Sequence, residues 1–183
     1  MILKKLKDLI FWKFRGEVPT EHLMSLGLKV GKNFNRQNGC IIDNSHCWLI
    51  SIGDNVTLAP RVHILAHDAS TKQLLGYTKI GLVIIGSNVF IGAGTIILPN
   101  VRIGNNVIIG AGSVVAKDIQ EDSLALGNPA RVIGSTHEYI LKHKMKVGNQ
   151  PTYNKTYTMG YKINNLQKEK MVQELKSGMG YVE

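Results

Sequence analysis

An interval of six governs the middle of this chain. Starting at Ile85, each sixth residue is aliphatic: Ile85, Ile91, Ile97, Ile103, Ile109 and Val115. Glycine follows at Gly86, Gly92, Gly104 and Gly110, and small or turn-forming pairs such as Ala93-Gly94, Pro99-Asn100 and Ala111-Gly112 come next. An α-helix repeats about every 3.6 residues and a plain strand about every two, so neither fits. The interval predicts a parallel β-helix built from hexapeptides. Each hexapeptide supplies one flat side and one turn, three sides close a coil, and stacked aliphatics fill the axis. The expected class is mainly β, with an inserted loop and short helices at both ends.

The breaks in the rhythm carry as much information as the rhythm. Val30-Gly31 begins the repeats, and Arg36 stands where an aliphatic belongs. Ile42 is in phase, but the next in-phase residue is Ile52, so the turn around Asp43-Asn44-Ser45-His46 holds an insertion. Between Ile64 and Ile85 the spacing is again no multiple of six, so a loop over 66–81 leaves the coil. Long loops in compact repeat domains are commonly functional, and this one contains His67-Asp68. The domain plan is an N-terminal helical segment over 1–29, a β-helix over 30–134, and a C-terminal helix and tail over 135–183.

Residues 1–15 read as an amphipathic helix, with Leu3, Leu6, Ile10 and Phe14 on one face and lysines elsewhere. Such a helix packs on the coil or makes weak contact with a membrane surface. A short helix is expected from Thr20 as N-cap to Leu26, ended by Gly27. Ser135-Thr136-His137-Glu138 resembles a capping box opening a helix over 136–146, and a charged helix is expected within 163–177.

The net charge of +9 suits nucleic acid, anionic lipid or a polyanionic small molecule such as a coenzyme phosphate. Among these it does not point to nucleic acid, because the cations are spread through the end segments and no nucleic-acid module is recognised. Cys40 and Cys47 are too few for a disulfide framework, which suggests a reducing compartment. Lysines interrupt the apolar start, so export by a signal peptide is not expected. The expected location is cytoplasmic.

Ile52-Gly-Asp-Asn-Val, Leu58-Ala-Pro-Arg-Val, His67 in a loop, Val89-Phe-Ile-Gly-Ala-Gly, Ile109-Gly-Ala-Gly-Ser-Val-Val and Gly127-Asn-Pro-Ala-Arg-Val-Ile together resemble the hexapeptide-repeat acyltransferases. The branch is that of the galactoside and maltose O-acetyltransferases and the acetyltransferases of polysaccharide assembly. The resemblance covers roughly residues 30–134. It implies a left-handed coil, although general physics favours right-handed crossovers between parallel strands. It also implies a homotrimer with active sites between subunits, acetyl-CoA as acyl donor, no required metal, and a sugar-type acceptor.

Residue by residue, the resemblance makes His67 the general base that takes the proton of an acceptor hydroxyl. It places Asn38 and Asp43 in the acceptor site, with Asn35 a rival to Asn38. Asp68 follows His67 and is a candidate for the same site, where it could orient the imidazole. Ala93 and Ala111 would let the coenzyme's pantetheine arm lie along the backbone, beside an apolar wall from Phe90. Lys117 and Arg131 occupy positions that meet coenzyme phosphates.

Three other readings compete. Cys47 beside His46 invites a cysteine nucleophile, but neighbours on a strand face opposite sides, so packing is expected of Cys47. His46, His63 and His67 suggest a metal enzyme on the same scaffold, resembling carbonic anhydrases, although the spacing does not guarantee a shared face. A non-catalytic scaffold docked through its basic ends is the third, and the Gly127-Asn-Pro-Ala-Arg131 ending argues against it.

Overall fold

The six-residue interval becomes three parallel sheets in the computed structural model, which describes residues 17–183. The first face pairs Lys29–Val30, Ile50–Ile52, Val83–Ile85 and Val101–Ile103. The second carries Asn35–Arg36, Thr57–Leu58, Phe90–Ile91, Ile108–Ile109 and Ser123–Gly127, and is closed by an antiparallel strand, Ala130–Ser135. The third pairs Ile41–Ile42, His63–Ile64, Ile96–Ile97 and Val114–Val115.

The register explains the interval. Ile52, Ile85 and Ile103 stack on the first face; Leu58, Ile91, Ile109 and Ala125 on the second; Ile42, Ile64, Ile97 and Val115 on the third. Each is at most 4% exposed, so the axis of the prism is dry. Full burial of one Ile or Leu side chain contributes about 1.5–3 kcal/mol, which makes these stacks the main source of cohesion.

Each corner of the prism has its own chemistry. Between the first and second faces runs a ladder of Asn33, Asn55, Asn88, Asn106 and Asp122. All five have positive φ, between 54° and 57°. Asparagine tolerates this region, and each Nδ2–H donates to the next rung at 2.9–3.0 Å. Between the second and third faces, Gly94 N–H donates to Pro60 O at 2.9 Å and Gly112 N–H to Ala93 O at 2.8 Å. The coils approach so closely here that a Cβ on Gly92 would lie 2.4 Å from Ala111 N. The corner between the third and first faces holds both insertions.

Arg36 replaces an aliphatic by leaving the in-phase pattern through its head group. Its guanidinium donates to Val18 O at 2.7 Å and to Cys40 O, closing the open end of the prism. Burial lowers its pKa. The first helix, α1, is Thr20–Ser25, with Pro19 and not Thr20 at the N-cap. The Thr20 hydroxyl accepts from Arg36 at 3.4 Å instead of capping, and Gly27 at φ 110° ends the segment as expected. The helix expected over 1–15 lies outside the described residues.

The inserted loop is ordered by its own pairing. His67–Asp68 pairs antiparallel with Lys79–Ile80, with a 3-10 turn and a single helical turn, α2 (Lys72–Leu75), between them. Gly81 N–H donates to Ala66 O at 3.0 Å and returns the chain to the coil.

A second compact unit comprises His137–Glu183. Helix α3 spans Thr136–Val147, and α4, Asn165–Glu174, opens with a capping box between Asn164 and Gln167. Tyr153 O–H donates to Glu174 at 2.8 Å, and burial, reinforced by that carboxylate, pushes its pKa up to about 12. Among the described residues no helix is long and apolar enough to cross a membrane.

Candidate active site

Asp43 follows Ile42 on one coil, and His67 follows Ile64 and two further residues on the next. Because Ile42 stacks on Ile64, both side chains arrive at the corner between the third and first faces. There His67 Nδ1–H donates to Asp43 Oδ2. The same oxygen accepts from Ala66 N–H at 2.9 Å, while Oδ1 accepts from Ser45 N–H at 3.0 Å and His46 N–H at 3.2 Å. The carboxyl group thus faces donors only, which demands the ionised, acceptor-only form.

Burial alone would raise the Asp43 pKa, but the bond from His67 and the backbone N–H groups of Ala66 and His46 outweigh it and hold the carboxyl below its ordinary value. The Asp43 side chain is fully buried, whereas that of His67 is 36% exposed. A carboxylate at Nδ1 keeps the proton there and leaves the Nε2 lone pair free. This is the tautomer a general base requires.

Asp68 does not share in this arrangement. Its carboxylate lies 2.6 Å from Lys79 Nζ and accepts from Ser70 N–H at 2.8 Å. Lys79, followed by Ser70, holds its pKa down at about 2. The orientation of His67 therefore falls to Asp43, a residue expected only in acceptor binding. The signal for it was present in the sequence: both breaks in the rhythm follow residues that stack, so the two insertions share a corner.

The remaining predicted residues fall on other parts of the prism. Asn38, whose carbonyl accepts from Arg61 N–H at 3.1 Å, turns the first coil between the second and third faces. Ala93 and Ala111 sit above it on that corner, both exposed. A Cβ on Gly94 or Gly112 would meet nothing within 4 Å, so this edge is open to a ligand lying along the backbone. Asn35 pairs with Thr57 on the second face, and Phe90, 46% exposed, stands outward on the same face. Lys117 follows the third face after Val115, and Arg131 belongs to the antiparallel closing strand. Within one chain, then, the imidazole and the open corner lie on different edges, separated by the third face.

Cys47 sits in a 3-10 turn, Cys47–Leu49, and not on a strand. It is fully buried with its thiol directed at Leu23 O, 3.6 Å away, which is the packing role expected of it. His63 pairs with Ile41 and Ile96 on the third face. Among the described residues, the group that could hold a cation is instead Asp43, His46 and His67, whose donor atoms lie within 4.8 Å of one another. The His46 ring lies 5.2 Å from that of His67 and 5.3 Å from that of Trp48.

A stacked hexapeptide coil with this corner chemistry is a class that comparison with known proteins makes specific. The family model described as bacterial transferase hexapeptide (six repeats) matches residues 83–117. The chain is 36% identical over 148 residues to protein CapG of Staphylococcus aureus, covering 75% of this chain and 83% of that protein. It is 37% identical over 142 residues to the galactoside O-acetyltransferase of Escherichia coli, covering 71% and 67%. Among solved structures, a maltose O-acetyltransferase from Clostridium difficile matches with a TM-score of 0.55 and 46% identity, over 60% of this chain and 59% of that one. A galactoside acetyltransferase in complex with coenzyme A matches with a TM-score of 0.56 and 34% identity, over 62% and 57%. The chain belongs to the bacterial hexapeptide transferases, in the branch that holds the galactoside and maltose O-acetyltransferases, and its coil is the left-handed β-helix of that family.

Proposed function

We propose that this protein transfers an acetyl group from acetyl-CoA to a hydroxyl of a sugar or saccharide precursor, with His67 as general base. The observation that carries the reading is the buried Asp43 carboxyl group hydrogen-bonded to Nδ1 of an imidazole that is 36% exposed. His67 Nε2 takes the acceptor proton as the hydroxyl oxygen attacks the thioester carbonyl, forming a C–O bond and a tetrahedral oxyanion. Collapse of the oxyanion breaks the C–S bond, and the imidazolium returns its proton to the departing thiolate. Asp43 stabilises the imidazolium between these steps. General-base help of this kind is worth on the order of 10²–10⁴ in rate.

The donor fits the corner of Ala93 and Ala111, where small side chains leave the backbone open, with Phe90 as an apolar wall and Lys117 and Arg131 as candidates for its phosphates. Asn38, or Asn35, is the candidate for acceptor binding. The separation of His67 from the open corner within one chain supports a homotrimer in which each site is completed by a neighbour. Outward apolar residues support it too: Phe90, Ile108 and Leu124 in a row on the second face, and Ile96 and Val114 on the third, where His63 separates them from Ile41. Two different patches are what a cyclic trimer needs, since its interfaces are heterologous. Use of acetyl-CoA supports a cytoplasmic location, and the basic, apolar sequence of residues 1–15 supports weak membrane contact.

The test is thiol release from acetyl-CoA across sugars, amino sugars and nucleotide-sugars, with the product acetyl group located by mass spectrometry. Release with at least one hydroxyl acceptor is expected. Acceptor-independent hydrolysis alone, or no affinity for coenzyme A, would refute the reading.

A further inference from the structure

Trp48 is 53% exposed, yet it stands on a packed turn. Cys47 before it is fully buried, and Ile50, two residues on, is 1% exposed. A Cβ on Gly27 would lie 2.8 Å from Trp48 Cβ, so the turn that ends α1 packs directly behind it. Scattered exposed aliphatics need no explanation, but a large indole held out in water on a packed turn does.

Its neighbours supply one. The indole lies 5.3 Å from the His46 ring, tilted by 47°, and the His46 ring lies 5.2 Å from His67, tilted by 42°. The His46 backbone N–H is tied to Asp43, and its Nδ1 is buried without a hydrogen-bond partner, so packing sets the position of this ring. Three rings thus lead from the proposed base to an exposed aromatic plane. The insertion after Ile42 supplies two of the three rings, and the loop after Ile64 supplies His67.

Sugar rings present a face of C–H groups that lies well on a flat aromatic surface, and rigid aromatics give up little entropy when covered. A sugar whose hydroxyl sits at His67 reaches His46 with its own ring, and the indole lies one ring further on. We propose that Trp48 is a specificity residue that stacks the sugar unit adjoining the one acetylated. The preferred acceptor is then a saccharide of at least two rings over a free monosaccharide. This rests on the sugar acetyltransferase reading given above.

The experiment measures thiol release with acetyl-CoA for two matched acceptor series, glucose, maltose and maltotriose, and galactose, lactose and a β-alkyl galactoside. The proteins are the wild type, Trp48→Ala and Trp48→Phe. The expected result is a KM for two-ring and longer acceptors raised about three- to tenfold in Trp48→Ala, with the KM for acetyl-CoA and for the monosaccharide unchanged. Trp48→Phe should recover most of the loss. Equal effects on one-ring and two-ring acceptors, no effect on either, or a loss confined to the alkyl galactoside would overturn the proposal. Wild-type thiol release with none of these acceptors would overturn the proposal, and wild-type release with none of the sugars, amino sugars or nucleotide-sugars either would overturn the acetyltransferase reading on which it stands.

Discussion

Asp43 and His67, separated by 24 positions in the chain, share a hydrogen bond because Ile42 and Ile64 stack one coil apart. The same stacking that fills the core therefore sets the geometry of the proposed base. Asp43→Asn keeps the size of the side chain but removes the charge, and its amide can offer Nδ1 a donor instead of an acceptor. The expected outcome is a kcat lower by about 10²–10³, with the KM for acetyl-CoA unchanged. An unaltered kcat would show that Asp43 has no part in orienting the base.

The depressed pKa of Asp43 makes a prediction about stability. A carboxyl whose folded pKa lies below its unfolded value, about 3.9, stabilises the fold fully above that value. The contribution is lost as pH falls through the folded pKa. The unfolding free-energy difference between wild type and Asp43→Asn should be largest near neutral pH and close in acid, because asparagine does not titrate. Chemical denaturation across pH 3–7 checks this, and a gap independent of pH would contradict it.

Much of this was legible in the residue order, for a physical reason. A solenoid repeats one local solution, so the interval from Ile85 to Val115 predicts the stacks directly, and both departures from it mark real insertions. The orientation of Asp43 was not read, because its partner is a coil away and depends on register. Asp68 is the immediate neighbour of His67 in the chain, but its carboxylate turns to Lys79, across the two-residue ladder of the insertion. Thr20 was misplaced as an N-cap because Arg36, distant in sequence, engages its hydroxyl.

The asparagine ladder should be a measurable support of the coil. Asn88 accepts from Asn55 and donates to Asn106, each bond within 2.9–3.0 Å, at φ 57°. Asn88→Ala removes both bonds and leaves a Cβ in a left-handed conformation without a compensating side chain. A loss of about 1–3 kcal/mol in urea denaturation is expected. An unchanged midpoint would mean that the ladder is ornamental.

The cluster of Asp43, His46 and His67 separates proton transfer from metal chemistry. Protein dialysed against a chelator should retain full turnover. Added zinc should inhibit by occupying the nitrogen and oxygen atoms that handle the proton, and the chelator should reverse it. Loss of activity on chelation with recovery on zinc would favour the metal enzyme instead.

Subunit mixing tests the shared site. His67→Ala removes the base, and Ala111→Trp obstructs the open corner, so each homotrimer should be inactive. If a site draws its two halves from different chains, as in the proposed homotrimer, co-refolding in equal amounts should regain about a quarter of the wild-type sites by random pairing. No recovery in verified mixed trimers would place base and donor on one chain.

The central claim rests on one side chain. The direct measurement is the turnover of His67→Ala with saturating acetyl-CoA and acceptor, alongside its coenzyme affinity and oligomeric mass. We expect kcat to fall by about 10²–10⁴ while affinity and mass stay at wild-type values. Near wild-type turnover in a properly assembled variant would contradict the account.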